Sequence, residues 1–566
     1  MDKKTKVGII GMAVASLIII IVVAITIIGK LTPSKVIKEL SDYYQVPKGE
    51  ALVIMDDMMY EKYAKIMDGV YYIDLETITS KFNRRFYYDT NENVLIYTTP
   101  TEVIKAEVSS KDYTINKNKA SLAYPIVKRV VDEVYVALDF VAQYSDMRAA
   151  TYENPNRIII QTTWKNYQFA TTKSSTQIRT EASIKAEILK ELKSNDEVMI
   201  INNGGLKNGF ITVMSDDGVR GYVQKKALSA VFDKEITSSY DAPKYSNLTK
   251  DYTINLAWHQ VTAPEANNNM TTLLGATKGV TTISPTWYRV NSEEGTLFSL
   301  ASEDYVQKAH DRNVEVWALV DNFDPKVDIH KVLSRTSSRE KLVNELLAQA
   351  IKYNLDGINI DFENLKMETG PHYIQFLREL SVKCRSNQII LSADSYVPAS
   401  YNKFYDYEEQ GKVLDYVIIM GYDEHHGNSE EAGSVSSVGF FGQAITSTLT
   451  MVPKEKLIMG IPFYTRLWKE YVELGEEKLS SEALGMSAAQ LELDKNEVTP
   501  VWNGTSGQYY AEYQKDDKKY KVWLEEEESI DAKMKLIYEA KLAGVACWRL
   551  GFEKASIWDI ILKYVN

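Results

Sequence analysis

Apolar and polar residues alternate strictly from Gly357 to Glu363, and this alternation organises the second half of the chain. In an extended strand Ile358, Ile360 and Phe362 share one face, while Asn359, Asp361 and Glu363 share the other. The first face suits packing under helices. The second gathers an amide and two acids, which costs desolvation and like-charge repulsion and so points to chemistry. Similar apolar stretches recur at Tyr252 to Trp258, Gly279 to Ser284, Val314 to Val320, Gln388 to Ala393, Asp415 to Met420, Lys456 to Ile461 and Gly544 to Trp548. Segments of helical period intervene, for example Ser338 to Tyr353. Together with Gly357 to Phe362 this makes eight strand–helix units, which predict a closed parallel (β/α)8 TIM barrel over 251–566. In such a barrel the site lies at the C-terminal ends of the strands, where the acids fall. About 80 residues separate the last two strands, among them Pro500 to Asn503, Gln508 to Lys515 and Lys518 to Leu524.

The first half follows other periods. Val7 to Gly29 is a 23-residue stretch without a charged residue, preceded by Lys3, Lys4 and Lys6 and followed by Lys30. That length spans a bilayer, and Ile27-Ile28-Gly29-Lys30-Leu31 is a poor cleavage site, so 1–32 reads as a cytoplasmic tail and uncleaved transmembrane anchor. Ser34 to Tyr44 reads as a juxtamembrane helix. Residues 68–99 then align without gaps with 132–163, with eight of 32 positions identical. Each copy reads strand, short helix, strand, turn, strand, with turns at Asn91-Glu92-Asn93 and Asn154-Pro155-Asn156, so 33–165 is a duplicated α+β module. Five short strands around 178–179, 188–192, 197–201, 210–213 and 221–223 predict a small β-barrel over 166–232. They are separated by turns such as Asn202-Asn203-Gly204-Gly205 and Asp216-Asp217-Gly218. Residues 233–250 read as a polar linker.

A chain of 566 residues exceeds one hydrophobic core, in keeping with this multidomain division. Its net charge of -12 argues against a nucleic-acid partner. Two cysteines, Cys384 and Cys547, imply no disulfide framework, and Cys547 reads as a small core residue. His425-His426 lacks supporting ligand spacing among only six histidines, so neither a metal nor a cofactor is expected.

Asp356, Asn359, Asp361 and Glu363 resemble the Asp-x-x-Asp-x-Asp-x-Glu signature of glycoside hydrolase family 18, the chitinase-like enzymes, with Asn in the second position. Met420-Gly421-Tyr422-Asp423, Gly460 to Arg466 and Gly544 to Trp548 resemble the family's sixth, seventh and eighth strands, in the same order, and the segments 500–503, 508–515 and 518–524 between the last two resemble the extra antiparallel lobe of many members. The resemblance implies a glycosidase in which the substrate's own 2-acetamido oxygen attacks the anomeric carbon. It assigns general acid and base to Glu363, acetamido orientation to Asp361 and a hydrogen bond to the acetamido carbonyl to Tyr422. Asp356, Asn359, Met420, Asp423, Arg466 and Trp548 complete the implied substrate site, with Trp548 beneath the sugar ring and Asp356 also bracing its strand. The loss of a carboxylate at 359 predicts an Asp361 with a lowered pKa; the competing reading makes Asn359 a hydrogen-bonded core residue. Residues 33–165 resemble the domain named after the N-terminal region of copper amine oxidases, without metal ligands, and 166–232 resemble a bacterial SH3-type domain.

The expected partner is therefore an N-acetylglucosamine polysaccharide, reached by an extracytoplasmic catalytic domain on a single-pass membrane anchor. The variant Asp-Gly-Ile-Asn-Ile-Asp-Phe-Glu resembles the spore and wall branch of the family, which favours peptidoglycan. A chitinase or endo-N-acetylglucosaminidase is the alternative substrate reading. A non-catalytic chitinase-like sugar-binding protein is the alternative class, which would keep the barrel but lose the acid.

Overall fold

A computed structural model describes residues 2–201 and 205–565. The chain forms two compact units. One comprises residues 1–86, 106–113 and 120–242, the other 87–105, 114–119 and 243–566.

The first unit contains the helix Lys3–Leu31, 29 residues long with no buried side chain. Its length and hydropathy would let it cross a membrane. The helix expected from Ser34 shrinks to Leu40–Tyr44. Residues 34–38 instead run beside Ile188, with Ser34 N–H donating to Ile184 O and Lys38 N–H to Ile188 O, both at 2.8 Å. A strand edge with open acceptors thus outcompetes a short, uncapped helix. Both repeats show strand, helix and hairpin, but their first strands pair with each other, Tyr135 opposite Asp74. The second copy's hairpin, Arg148–Tyr152 with Arg157–Gln161, adds in parallel to Glu50–Met55. All five strands expected in 166–232 are present. Two more, Asn166–Thr171 and Phe232–Glu235, pair antiparallel and take up the first residues of the expected linker. The turn expected at Asn202-Asn203-Gly204 lies outside the described residues.

In the second unit eight parallel strands close a barrel: β1 Ile254–His259, β2 Thr282–Val290, β3 Glu315–Asp321, β4 Gly357–Asp361, β5 Ile390–Tyr396, β6 Tyr416–Met420, β7 Leu457–Pro462 and β8 Gly544–Trp548. Each pairs with the next, and β8 pairs with β1. The period-two pattern has its expected meaning. Ile358, Ile360 and Phe362 join the layer between strands and helices, whereas Trp258, Trp317, Leu319 and Ile418 fill the interior. Between β7 and β8 a five-stranded antiparallel sheet includes the three expected segments. It also holds a long hairpin, Tyr464–Glu473 with Glu476–Gly485, beyond the expected segments.

Two segments outside the predicted barrel belong to this unit. Residues 243–250 dock on it, with Leu248 N–H donating to Asp415 Oδ1 at 2.8 Å and Arg385 Nε to Ser246 O at 2.6 Å. The hairpin of the first repeat, Tyr87–Asp89 with Val94–Thr98, packs on the helices Thr336–Lys352 and Gly370–Ser386. Polar bonds hold it: Asp89 Oδ2 accepts from Thr336 N and Oγ1, each at 2.6 Å, and Gln375 Nε2 donates to Thr98 Oγ1 at 3.1 Å. The two repeats are alike locally but differ in what their hairpins bury.

Candidate active site

β4 delivers Asp361 as its last residue, with Glu363 two positions further on, so both acids reach the C-terminal mouth of the barrel. They line a cavity of about 240 Å³ with Trp258, Phe323, Asp394, Tyr396, Met420, Tyr422, Asp423, Tyr464 and Trp548. The Glu363 backbone is clamped by Asn322, whose Oδ1 accepts from Glu363 N at 2.9 Å and whose Nδ2 donates to Glu363 O at 2.9 Å. Its carboxylate accepts a 2.6 Å hydrogen bond from Tyr396 OH. Burial raises the Glu363 pKa, and Asp423 and Asp321 add to the rise; the Tyr396 bond opposes it. A carboxyl that retains its proton above the usual carboxylate range is suited to general acid catalysis.

Asp361 is buried, and its Oδ1 has no hydrogen-bond partner among the described residues. Its pKa is raised well above the ordinary value, first by burial, then by Asp394, Glu363 and Asp321. This reverses the expectation of a lowered pKa. Asn359 does remove a carboxylate from β4, but β5 supplies another in Asp394.

Asn359 is fully buried beneath the cavity and does not line it. Its Oδ1 accepts from Trp258 Nε1 at 3.0 Å and Ser284 Oγ at 3.1 Å. Its Nδ2 donates to Ser392 Oγ at 3.1 Å and Asp394 Oδ1 at 2.8 Å. A core amide with all of these bonds formed has nothing left to offer a sugar. Asp356 is also displaced from the expected substrate site. It precedes β4 at the opposite end of the barrel, where its Oδ2 accepts from Val316 N at 2.8 Å and pairs with His310 Nε2 at 2.8 Å. Bracing is the part of its expected role that the geometry supports. Arg466 does not line the cavity; its Nη1 donates to Ser481 Oγ at 3.0 Å in the lobe hairpin.

The remaining expected residues converge. Tyr422 and Met420 line the cavity from β6. Asp423 accepts a 2.5 Å hydrogen bond from Tyr464 OH. Trp548 closes the cavity from β8, its ring 5.9 Å from that of Trp258 at an interplanar angle of 64°. His425 and His426 are engaged by their own loop, through Ser434 O and Asn428 N.

Asp394, Tyr396, Asn322 and Tyr464 were not among the residues expected at the site. Asp394 is an acid inside a strand, as Asp361 is, but the polar Ser395 beside it breaks the apolar alternation that marks β4, so the signal in β5 is weaker.

Residues 257–553 match glycosyl hydrolases family 18, which is more than half of the chain. The chain belongs to this family of glycosidases. Among curated proteins, the uncharacterized glycosylase YvbX of Bacillus subtilis (strain 168) is 28% identical over 285 residues, covering 48% of this chain and 81% of that protein. The cortical fragment-lytic enzyme of the same organism is 27% identical over 243 residues, covering 42% of this chain and 56% of that protein. The chain thus spans little more than half the length of that second relative. Among solved structures, the C-terminal domain of a putative chitinase from Desulfitobacterium hafniense superposes with a TM-score of 0.51 at 22% identity, over 56% of this chain and all of that one. The spore cortex-lytic enzyme SleL of Bacillus cereus gives 0.50 at 21% identity, over 59% of this chain and 77% of that one. These two share the family 18 fold with it.

Proposed function

We propose that this family 18 glycosidase cleaves β-1,4 linkages after N-acetylglucosamine by retaining, substrate-assisted catalysis. The observation that carries the reading is the pair of acids in one cavity: Glu363, held by Tyr396, and Asp361, with an unpartnered buried oxygen. Glu363 protonates the leaving oxygen while the 2-acetamido oxygen attacks the anomeric carbon, forming an oxazolinium. Glu363, now ionised, then takes a proton from the water that opens that ring. Asp361 accepts the acetamido N–H and offsets the developing positive charge, Tyr422 donates to the acetamido oxygen, and Trp548 stacks beneath the sugar. Met420 and Asp423 line the same space.

The preferred substrate is peptidoglycan. Relatives named for cortical fragment lysis support it, as does an apolar N-terminal helix able to hold the protein at a membrane surface beside the wall. In this reading Lys3–Leu31 anchors the chain, 33–165 is a stalk, 166–232 is an SH3-like module and the barrel lies outside the cell. Digestion of purified peptidoglycan should yield new N-acetylglucosamine reducing ends, with the first-formed product in the β configuration by NMR. Cleavage of chitin oligomers with peptidoglycan left intact would move the assignment to a chitinase. A first-formed α product would overturn substrate assistance.

A further inference from the structure

A buried carboxylate, Asp394, sits on β5 with the Asn359 amide donating to it at 2.8 Å. In the parallel register of β4 and β5, Asn359 pairs with Ser392 and Ile360 with Ala393. The next rung sets Asp361 beside Asp394 on the same inward face, at a strand spacing of about 4.8 Å. Asp394 lines the cavity with Asp361 and Glu363 and is 3% exposed. Two buried carboxyls so placed cannot both ionise easily, and they titrate as a pair.

We propose that Asp394 is a positioning residue that forms a one-proton dyad with Asp361, replacing from the neighbouring strand the carboxylate that Asn359 lacks. The proposal rests on the glycosidase reading of this site. The Asn359 amide donates to Asp394 Oδ1 and so favours the ionised form of Asp394, which leaves the shared proton on Asp361 at rest. When substrate enters, the proton passes from the Asp361 carboxyl to the Asp394 carboxylate. Asp361 is then an anion able to accept the acetamido N–H and face the oxazolinium. On product release the proton returns. The pair holds one proton and one negative charge throughout, and no outside acid or base is required.

Other groups bear on this titration. Asp321 on β3 is paired with Arg289 through bonds of 2.7 and 3.0 Å and still adds to the raised pKa of Asp361 and Glu363. Glu363 follows β4 and is bonded to Tyr396 of β5. Tyr422 and Asp423 follow β6, and Tyr373 and Tyr405 approach from the helical layer. Asp394 is the acid among them to which the Asn359 amide is bonded.

The test uses the full chain and exchanges the two partners. Asp394→Asn keeps the shape but removes the proton acceptor. We expect kcat on a fluorogenic N-acetylglucosamine oligomer to fall by about 10²-fold or more with KM little changed. Asn359→Asp combined with Asp394→Asn reverses donor and acceptor across the same 2.8 Å bond. It returns a carboxyl to the vicinity of Asp361 and should recover at least about tenfold of the loss, with a shifted acid limb in kcat/KM. Infrared titration of the protonated carboxyl band reads the dyad without turnover. Wild type should keep a band at neutral pH that Asp394→Asn alters and the double variant restores. An Asp394→Asn enzyme with wild-type kcat and pH profile would overturn the proposal. A double variant that folds but is no more active than Asp394→Asn would also overturn it. If wild type cleaves no N-acetylglucosamine polymer, the glycosidic reading fails, while the infrared result still decides whether the proton is shared.

Discussion

At the scale of single residues the site is defined by how its acids are protonated. Glu363→Gln preserves shape but cannot deliver a proton, so turnover should fall by at least about 10²-fold while oligosaccharide binding, read by calorimetry, persists. Tyr396→Phe removes a hydrogen bond that stabilises the Glu363 carboxylate. The Glu363 pKa should then rise further, and the alkaline limb of kcat/KM, set by loss of the acid's proton, should move to higher pH. A limb that stays in place or moves down would show that Tyr396 does not govern Glu363. Asn359 belongs to the core. Asn359→Ala would strand Trp258 Nε1, Ser284, Ser392 and Asp394, and should destabilise the protein by at least about 2 kcal/mol in urea unfolding.

At the scale of elements, the helix Thr336–Lys352 shows how a distant segment completes local structure. Its N-cap position is Arg335, whose side chain makes no capping bond. The free backbone N–H groups are satisfied in trans: Thr336 N donates to Asp89 at 2.6 Å and Ser337 N to Glu92 at 3.0 Å, both from the first-repeat hairpin. Acidic groups at a helix start also meet the positive end of the dipole. Asp89→Ala should therefore lower stability by about 1–2 kcal/mol, and hydrogen exchange should quicken in the first turn of this helix. Unchanged exchange there would mean that the hairpin contact does not cap the helix in solution.

At the scale of the whole molecule, the buried acids make stability depend on pH with a definite sign. The Asp361 and Asp394 pKa values are raised in the fold, chiefly by burial, so the folded state holds their protons more tightly than the unfolded chain. Their neutral forms are accommodated at low pH. The burden begins as pH rises past the ordinary carboxylate value of about 4 and grows until their folded pKa values are passed. Asp394→Asn should relieve it, raising stability near neutral pH by at least about 1 kcal/mol, with the gain shrinking toward about pH 4. Thermal melts of both proteins at the two pH values would check this, and a gain that is largest in acid would contradict it. Deleting the segment before Thr32 should also release the protein from membrane fractions without loss of activity on soluble oligomers.

The lobe segments were legible through their resemblance to other members of the family, while local periodicity was enough to reveal the barrel strands and the apolar helix. Each such element repeats one physical requirement over many residues, as in the alternation of β4 or the charge-free stretch from Val7 to Gly29. Glu363, Asp361, Tyr422 and Trp548 were readable because each falls in a stretch that resembles a motif of the family, at the end of a recognisable strand. Which side chains meet across strands was decided by the closed barrel. Asn359 differs from Asp by one group, and the sequence allowed it to lower the charge beside Asp361. Only the register of β4 against β5 showed the missing carboxylate returning as Asp394. The same holds for Asp356, sent to the far end of the barrel by its position before β4, and for Asp89, whose capping role spans some 247 positions of chain. Pattern specifies elements because it is local; partners separated by tens to hundreds of residues are brought together by packing, and packing decided the charges of this site.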